Sequence, residues 1–309
     1  MKKAYCAYDN FDEEAINIVK NNSIDLTVHT TKDRPNGEEL ITLLKENDIL
    51  FIGPFSRLTA DMVQYIDKPK IIATCSVGLD HIDKSFFESP LITMISLKTA
   101  NTVSVAEHIL GLILSLNKRI AEGNHLSLKG EGYRKNVYDK PEDISNKTLG
   151  LIGAGNITRE LIKMAKVFNM DIKCFTKNPD NHQDLLEYGV EFLSLDEVLK
   201  QSDFINVSIP LNEETRNLIS KEKIDLLKPT ATFINTARAA IVDTKALIDY
   251  ADKYDTFYVG LDIDLDEHKE MFMKYRKNVI VTPHLAGISK QALERMDLEI
   301  ANKVVEANE

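Results

Sequence analysis

The sequence predicts an α/β protein with two domains, each a parallel sheet covered by helices. Three observations carry that prediction. The first is length, because 309 residues exceed what one hydrophobic core ordinarily serves. The second is alternation: short β-type runs are separated by helix-type segments along nearly the whole chain, the pattern of parallel strands joined by crossover helices. The third is the texture of those runs. They are almost continuously apolar, as strands buried on both faces must be.

Five runs form a first series, at 4–8, 26–29, 49–52, 71–74 and 92–95, and six form a second, at 149–152, 172–175, 204–209, 232–235, 258–262 and 279–282. Between the series, residues 102–120 contain one glycine and no proline and fit a long, mostly buried helix. The polar stretch 121–147 contains Gly123, Gly130, Gly132 and Pro141 and is expected to form an extended surface excursion. The final segment, 290–308, carries Leu293, Met296, Ile300, Val304 and Val305 at helical spacing, which predicts an amphipathic helix.

Composition narrows the possible partners. Against 38 Lys plus Arg stand 48 Asp plus Glu, a formal net charge of -10. Such a surface repels nucleic acid and anionic lipid, and any site for an anion must be built locally. Cys6, Cys75 and Cys174 lie far apart with no metal-like or redox-like spacing, and read as reduced, buried residues of a cytoplasmic protein. Lys2 and Lys3 precede an apolar stretch broken by Asp9 and Asn10, too short for a signal peptide. The longest apolar run elsewhere, about 109–116, is too short to span a bilayer. No internal repeat or low-complexity segment is visible.

Residues 148–158, TLGLIGAGNIT, read as strand, glycine turn and helix start. Ile157, Leu161, Met164, Ala165 and Phe168 then fall on one helical face. This is the context of a dinucleotide-binding turn. Gly153 permits the tight turn, and Gly155 lets the backbone approach a pyrophosphate seated on the helix start at Asn156 and Ile157. Thr158 stands where such turns usually place a third glycine, which implies slightly wider packing of helix on strand. By itself the motif also fits any doubly wound fold.

Three strand ends carry chemically useful residues: 233–243 with Arg238, 259–267 with Asp262 and Glu267, and 281–287 with His284. Ligands bind beyond the carboxyl ends of strands in an open parallel sheet, so these residues are expected to share a cleft. Taken singly, Arg238 would read as a surface ion-pair partner, Glu267 as a solvated acid, His284 as structural and Asp262 as a cap for the following helix. Glu107 and His108 read as structural or interfacial.

Over nearly its whole length the sequence resembles the D-isomer-specific 2-hydroxyacid dehydrogenase family. The motifs that carry the resemblance are SVGLDHID at 76–83, NTVSVAEH at 101–108, the glycine turn, Ser202-Asp203, PLNEET at 210–215 and the three strand-end segments. The family's catalytic arginine, glutamate and histidine fall on Arg238, Glu267 and His284. Glu267 lies five residues past Asp262, with Asp264 and Asp266 as neighbours. Family positions occupied by proline and glycine are here His268 and Ala239. The resemblance implies that Arg238 holds a substrate carboxylate with its fork of donors. It implies that His284 exchanges the proton and that Glu267 orients the imidazole. The backbone amides of Val77 and Gly78 match the family's carboxylate cradle, Pro210 and Thr236 its cofactor contacts, and Asp262 the residue at the nicotinamide end.

The same resemblance implies two Rossmann-like domains, the substrate or lid domain discontinuous (1–98 plus 288–309) and the nucleotide domain spanning 99–287, with closure over the cleft. It implies a homodimer through 102–147. The function so implied is hydride transfer between NAD(P)H and a small 2-oxo or D-2-hydroxy acid, with no metal. A nucleotide-sensing, corepressor-like protein and a degenerate homologue are the competing readings. Arg57, in the lid loop Phe55-Ser56-Arg57, either meets a second acidic group on the substrate or points to solvent. For the cofactor, Thr176 occupies the place where NAD-specific folds put an acid for the ribose 2′-hydroxyl. Thr176, Lys177 and Asn178 could therefore accept a 2′-phosphate, so NADP is expected to be preferred, or at least accepted beside NAD. In the alternative, Lys177 is a solvated turn residue and NAD binds through Thr176, and Asp180 could reach the ribose if the turn is shifted.

Overall fold

The structure, a computed structural model, describes residues 1–131, 140–263 and 269–308. The chain divides into two compact units, Met1–Asn101 with Ser289–Glu309, and Thr102–Ile288. Strands are numbered along the chain.

In the first unit β1 (Lys2–Cys6), β2 (Ile24–Val28), β3 (Ile49–Ile52), β4 (Lys70–Thr74) and β5 (Ile92–Ser96) form a parallel sheet in the order β2-β1-β3-β4-β5. Central β3 and β4 are buried at every position, whereas edge strand β2 alternates buried and exposed, as a half-covered edge should. On one face lie the helices Glu13–Asn21 and Lys290–Asn308, whose Ala15, Val19, Met296, Ile300 and Val304 join Ile24, Phe51 and Ile71 in one core. Asp12 starts the first of these helices by accepting the amides of Glu14 (2.8 Å) and Ala15 (3.3 Å). The opposite face is closed by Leu40, Leu44, Met62 and Phe86.

The terminal helix buries Met296, Ile300 and Val304 of its expected face, but not Leu293. Leu293 is exposed, and Ala292, Met296, Asp297, Ile300, Ala301 and Val304 are buried. A carboxylate therefore sits in the apolar stripe, where Asp297 accepts the Tyr8 hydroxyl (3.1 Å) and the Asp12 amide (3.1 Å). Burial pushes the Asp297 carboxyl up to about 6.

In the second unit β6 (Thr148–Ile152), β7 (Asp171–Phe175), β8 (Val190–Phe192), β9 (Phe204–Val207), β10 (Thr232–Asn235), β11 (Tyr258–Asp262) and β12 (Val279–Thr282) form a parallel sheet in the order β12-β11-β10-β9-β6-β7-β8. The chain winds outward from β6 through β7 to β8, then crosses back to β9 on the other side. The carboxyl ends of β6 and β9 therefore form a topological switch point. The helix Thr102–Asn117 packs its Ile109, Leu112, Ile113 and Leu116 into the core shared with Leu149, Leu161 and Ile234.

The helix expected over 102–120 stops at Asn117, because Arg119 adopts φ +57° and redirects the chain. Part of the expected excursion is helical: Ile120–Leu128 forms a second helix with no buried residue, so its few apolar side chains gave no core-facing periodicity to read. The strand expected over 204–209 ends at Val207, and the three-residue edge strand β8 was not foreseen. Among the described residues no helix is long and apolar enough to cross a membrane.

Candidate active site

The glycine turn leaves β6 at the switch point. Gly153 has φ +108°, and a β-carbon there would lie 2.5 Å from the Ser208 carbonyl oxygen and 2.7 Å from Ile209 Cγ2, so only glycine fits. Gly155 is different. A β-carbon on it would meet nothing within 4 Å, so its bare backbone faces open space. The helix Asn156–Val167 begins there with no side-chain cap, so the positive end of its dipole is turned toward the space beyond the turn. These features fit the pyrophosphate of a dinucleotide. Thr158 is fully buried and its hydroxyl donates to the Gly153 carbonyl (2.8 Å), so the polar group placed against the strand is satisfied.

After β7, Thr176 is half-buried and Lys177 and Asn178 are exposed. The Lys177 ammonium is ion-paired with Glu214, a partner that the linear sequence did not suggest. Asp180 lies in the exposed start of the 3-10 helix Pro179–Tyr188. Pro210 follows β9, and its carbonyl accepts the Thr215 hydroxyl (2.7 Å). Thr236 follows β10 and is half-buried.

The strand ends of β10, β11 and β12 bring the next residues together. Buried Asn235 clamps the arginine loop, taking the Ala237 amide on its oxygen (2.9 Å) and giving its own N–H to the Arg238 carbonyl (3.0 Å). Arg238 is half-buried and spends one guanidinium N–H on the Ala237 carbonyl (2.8 Å). Ala239 lies in a short 3-10 turn with right-handed backbone, so alanine is at no disadvantage to glycine there.

His284 follows β12 with φ +53°, in the left-handed region. Parallel register sets Asp262 beside Thr282. The Asp262 carboxylate is 0% exposed and accepts the Thr282 hydroxyl (2.5 Å), the Leu285 amide (2.7 Å) and the Ala286 amide (2.8 Å). The Ser104 hydroxyl holds the Ala286 carbonyl (2.7 Å). His108 Nε2 lies 3.0 Å from the Thr282 hydroxyl. Because that hydroxyl gives its proton to Asp262, His108 must present an N–H to it. Asp262 thus grips the loop on the C-terminal side of His284 and is saturated by protein donors. Sequence reasoning placed Asp262 near the cofactor and His108 in the structure, but not this connection, which depends on strand register. Glu267, with Asp264, Asp266 and His268, lies outside the described residues.

In the first unit, Val77 and Gly78 stand in the half-buried turn after β4. Neither amide meets an acceptor among the described residues. The hydroxyls of Ser76 in that turn and of Ser56 after β3 are buried and also have no hydrogen-bond partner among the described residues. Sequence reasoning passed over both serines, whose signal is their place inside motifs quoted for other residues. The Arg57 side chain is exposed, and its amide donates to Asn36 Oδ1 (3.0 Å). Among the described residues no cluster of His, Cys, Asp or Glu is arranged to hold a metal ion.

Parallel sheets, a glycine turn at the switch point, and an arginine and a histidine at strand ends of the same sheet define a nucleotide-dependent dehydrogenase. Comparison with known proteins makes the class specific. The NAD-binding domain of the D-isomer specific 2-hydroxyacid dehydrogenases matches residues 110–286. A hydroxypyruvate reductase of Thermotoga maritima is 32% identical over 96% of this chain and 95% of its own. A glyoxylate reductase of Pyrococcus furiosus is 30% identical over 87% and 81%. Among solved structures, an acyclic imino acid reductase in complex with NADPH and D-Arg superposes with TM-score 0.88 at 28% identity, covering 100% of this chain and 97% of that one. A D-lactate dehydrogenase from Aquifex aeolicus, complexed with NAD and lactic acid, gives 0.82 at 29% identity, covering 99% and 95%. The chain belongs to the D-isomer specific 2-hydroxyacid dehydrogenase family. It is an NAD(P)-dependent oxidoreductase acting between 2-oxo acids and D-2-hydroxy acids.

Proposed function

We propose that this enzyme reduces a small 2-oxo acid with Arg238 as carboxylate anchor, His284 as proton donor and Glu267 as the partner of His284. The observation that supports this most is the grip of Asp262 on the loop of His284, two strands from the clamped loop of Arg238. Such rigidity is what a positioned acid and a positioned anchor require. Gly153, Gly155, Asn156 and Ile157 would hold the pyrophosphate of the cofactor, with Pro210 and Thr236 beside it. When bound, the nicotinamide supplies the hydride. Arg238 meets the substrate carboxylate with two parallel N–H groups and polarises the ketone. His284 gives its proton to the ketone oxygen as charge develops there. Glu267 favours the protonated imidazole. Val77 and Gly78 offer backbone N–H groups to a carboxylate, and Arg57 a charge for a second acidic group.

For the cofactor we propose a preference for NADP, with NAD accepted. The absence of an acid at Thr176 supports it, as does the NADPH bound to the imino acid reductase. For assembly we propose a cytoplasmic homodimer through 102–147. Its support is the helix Ile120–Leu128, which buries no residue in the single chain and leaves Leu128 81% exposed. The three free thiols fit a reducing compartment.

Arg238→Lys is the test of the anchor. It keeps the charge and loses the fork, so kcat/KM for any accepted 2-oxo acid should fall at least about 10²-fold. Recovery of most of the activity by lysine would leave Arg238 as a charge alone and overturn its geometric role. The substrate panel should include 2-oxo acids mixed with an amine, given the likeness to an imino acid reductase.

A further inference from the structure

We infer that Glu214 sets how strongly this enzyme favours a phosphorylated over an unphosphorylated adenosine ribose, by competing for Lys177. The inference rests on the cofactor reading above, in which the residues after β7 receive the ribose 2′ group. In the sheet, β7 and β9 are the two neighbours of β6. Lys177 is on the loop that leaves β7, and Glu214 is on the loop that leaves β9. Their ion pair therefore ties together the two loops that flank the glycine turn at the end of β6.

The two partners are held differently. Asn212 Oδ1 accepts the amides of Glu214 and Thr215, each at 3.0 Å, and Thr215 Oγ1 donates to the Pro210 carbonyl (2.7 Å). A fixed turn thus anchors the Glu214 backbone, from which its side chain carries the carboxylate to Lys177. Lys177 reaches it on a flexible four-carbon stem. The side chains are 57% and 71% exposed, so the pair exchanges partners at little cost. Hydrogen bonding and charge from Lys177 hold the Glu214 carboxyl below its ordinary range, as expected of a carboxylate engaged by a cation.

A 2′-phosphate carries close to two negative charges near neutral pH. It would draw Lys177 from Glu214 and leave a carboxylate on an anchored backbone near a dianion. A 2′-hydroxyl carries no charge and is indifferent to that carboxylate. The same residue therefore penalises NADPH and spares NADH. An amide of the same shape removes both the competition and the repulsion, and in solvent the gain for NADPH should be about threefold to tenfold, shrinking as salt is added.

The experiment is equilibrium binding of NADPH and of NADH, followed by reduced-nicotinamide fluorescence without any oxo acid. It uses the full-length wild type, Glu214→Gln and Lys177→Met at low and high salt. Glu214→Gln should tighten NADPH by about threefold to tenfold at low salt and leave NADH within about twofold. An unchanged NADPH Kd overturns the inference, as does an equal tightening of NADH. A weakened NADH Kd also overturns it, because Glu214 would then be a ligand of the ribose hydroxyl. Lys177→Met separates this inference from the reading beneath it. If it weakens NADPH while Glu214→Gln changes nothing, the cofactor reading stands and the inference fails. If it changes neither cofactor, Lys177 has no part in the ribose site and both fail.

Discussion

The proton donor proposed above, His284, stands on a left-handed backbone, and the place from which it would act is set by that backbone. For a residue with a β-carbon this conformation costs on the order of 1–2 kcal/mol and persists only where its surroundings fix it. Asp262 does the fixing, through the amides of Leu285 and Ala286. In Asp262→Asn one acceptor oxygen becomes an N–H donor facing a donor. That variant should lose about 1–3 kcal/mol of stability and at least tenfold in turnover, while KM for the cofactor moves less. Denaturation and steady-state kinetics measure both, and full turnover would show that the loop of His284 needs no such grip. At this scale the sequence was legible in residue type and order: Arg238, His284 and Asp262 were readable as strand-end residues. Their partners were not, because the bonds of Asp262 depend on the β11–β12 register and those of Lys177 on a loop 37 residues away.

At the scale of the element, the terminal helix Lys290–Asn308 carries a buried carboxyl that meets the Tyr8 hydroxyl and the Asp12 amide. Asp297 titrates at about 6 in the folded protein against an ordinary 3.8. Its pKa is raised, so folding favours the protonated form, and the contribution is complete below the unfolded value near 3.8 and is lost as pH rises through about 6. The linkage is on the order of 3 kcal/mol. Asp297→Asn should remove it, so that the stability of the variant relative to wild type improves between about pH 4 and pH 7. Urea denaturation across that range measures the difference, and a gap independent of pH would contradict it. The existence of this helix and most of its buried face were legible from apolar spacing, but the burial of Asp297 was not. Ala292 and Ala301 are buried while Leu293 is exposed, and side-chain size alone points the other way. Ile120–Leu128 escaped notice because a helix with no fully buried residue in its own chain carries no core-facing stripe.

Over the whole molecule, a chain of net charge -10 must bind an anionic cofactor and an anionic substrate. In the reading proposed above it answers with local devices: an uncapped helix start after Gly155, two backbone amides at Val77 and Gly78, and guanidinium groups at Arg238 and Arg57. The overall fold was the most legible level. Parallel strands buried on both faces announce themselves by apolar runs, and the two strand series fell into two sheets. The central claim is that His284 supplies the proton in 2-oxo acid reduction. Its most direct measurement is NADPH- and NADH-dependent reduction of a 2-oxo acid panel by wild type and His284→Ala, with cofactor Kd measured on both. Wild type should turn over at least one small 2-oxo acid, and His284→Ala should be slower by about 10²–10⁴ with its cofactor Kd unchanged. A folded His284→Ala that reduces the same oxo acid at the wild-type rate would contradict the account.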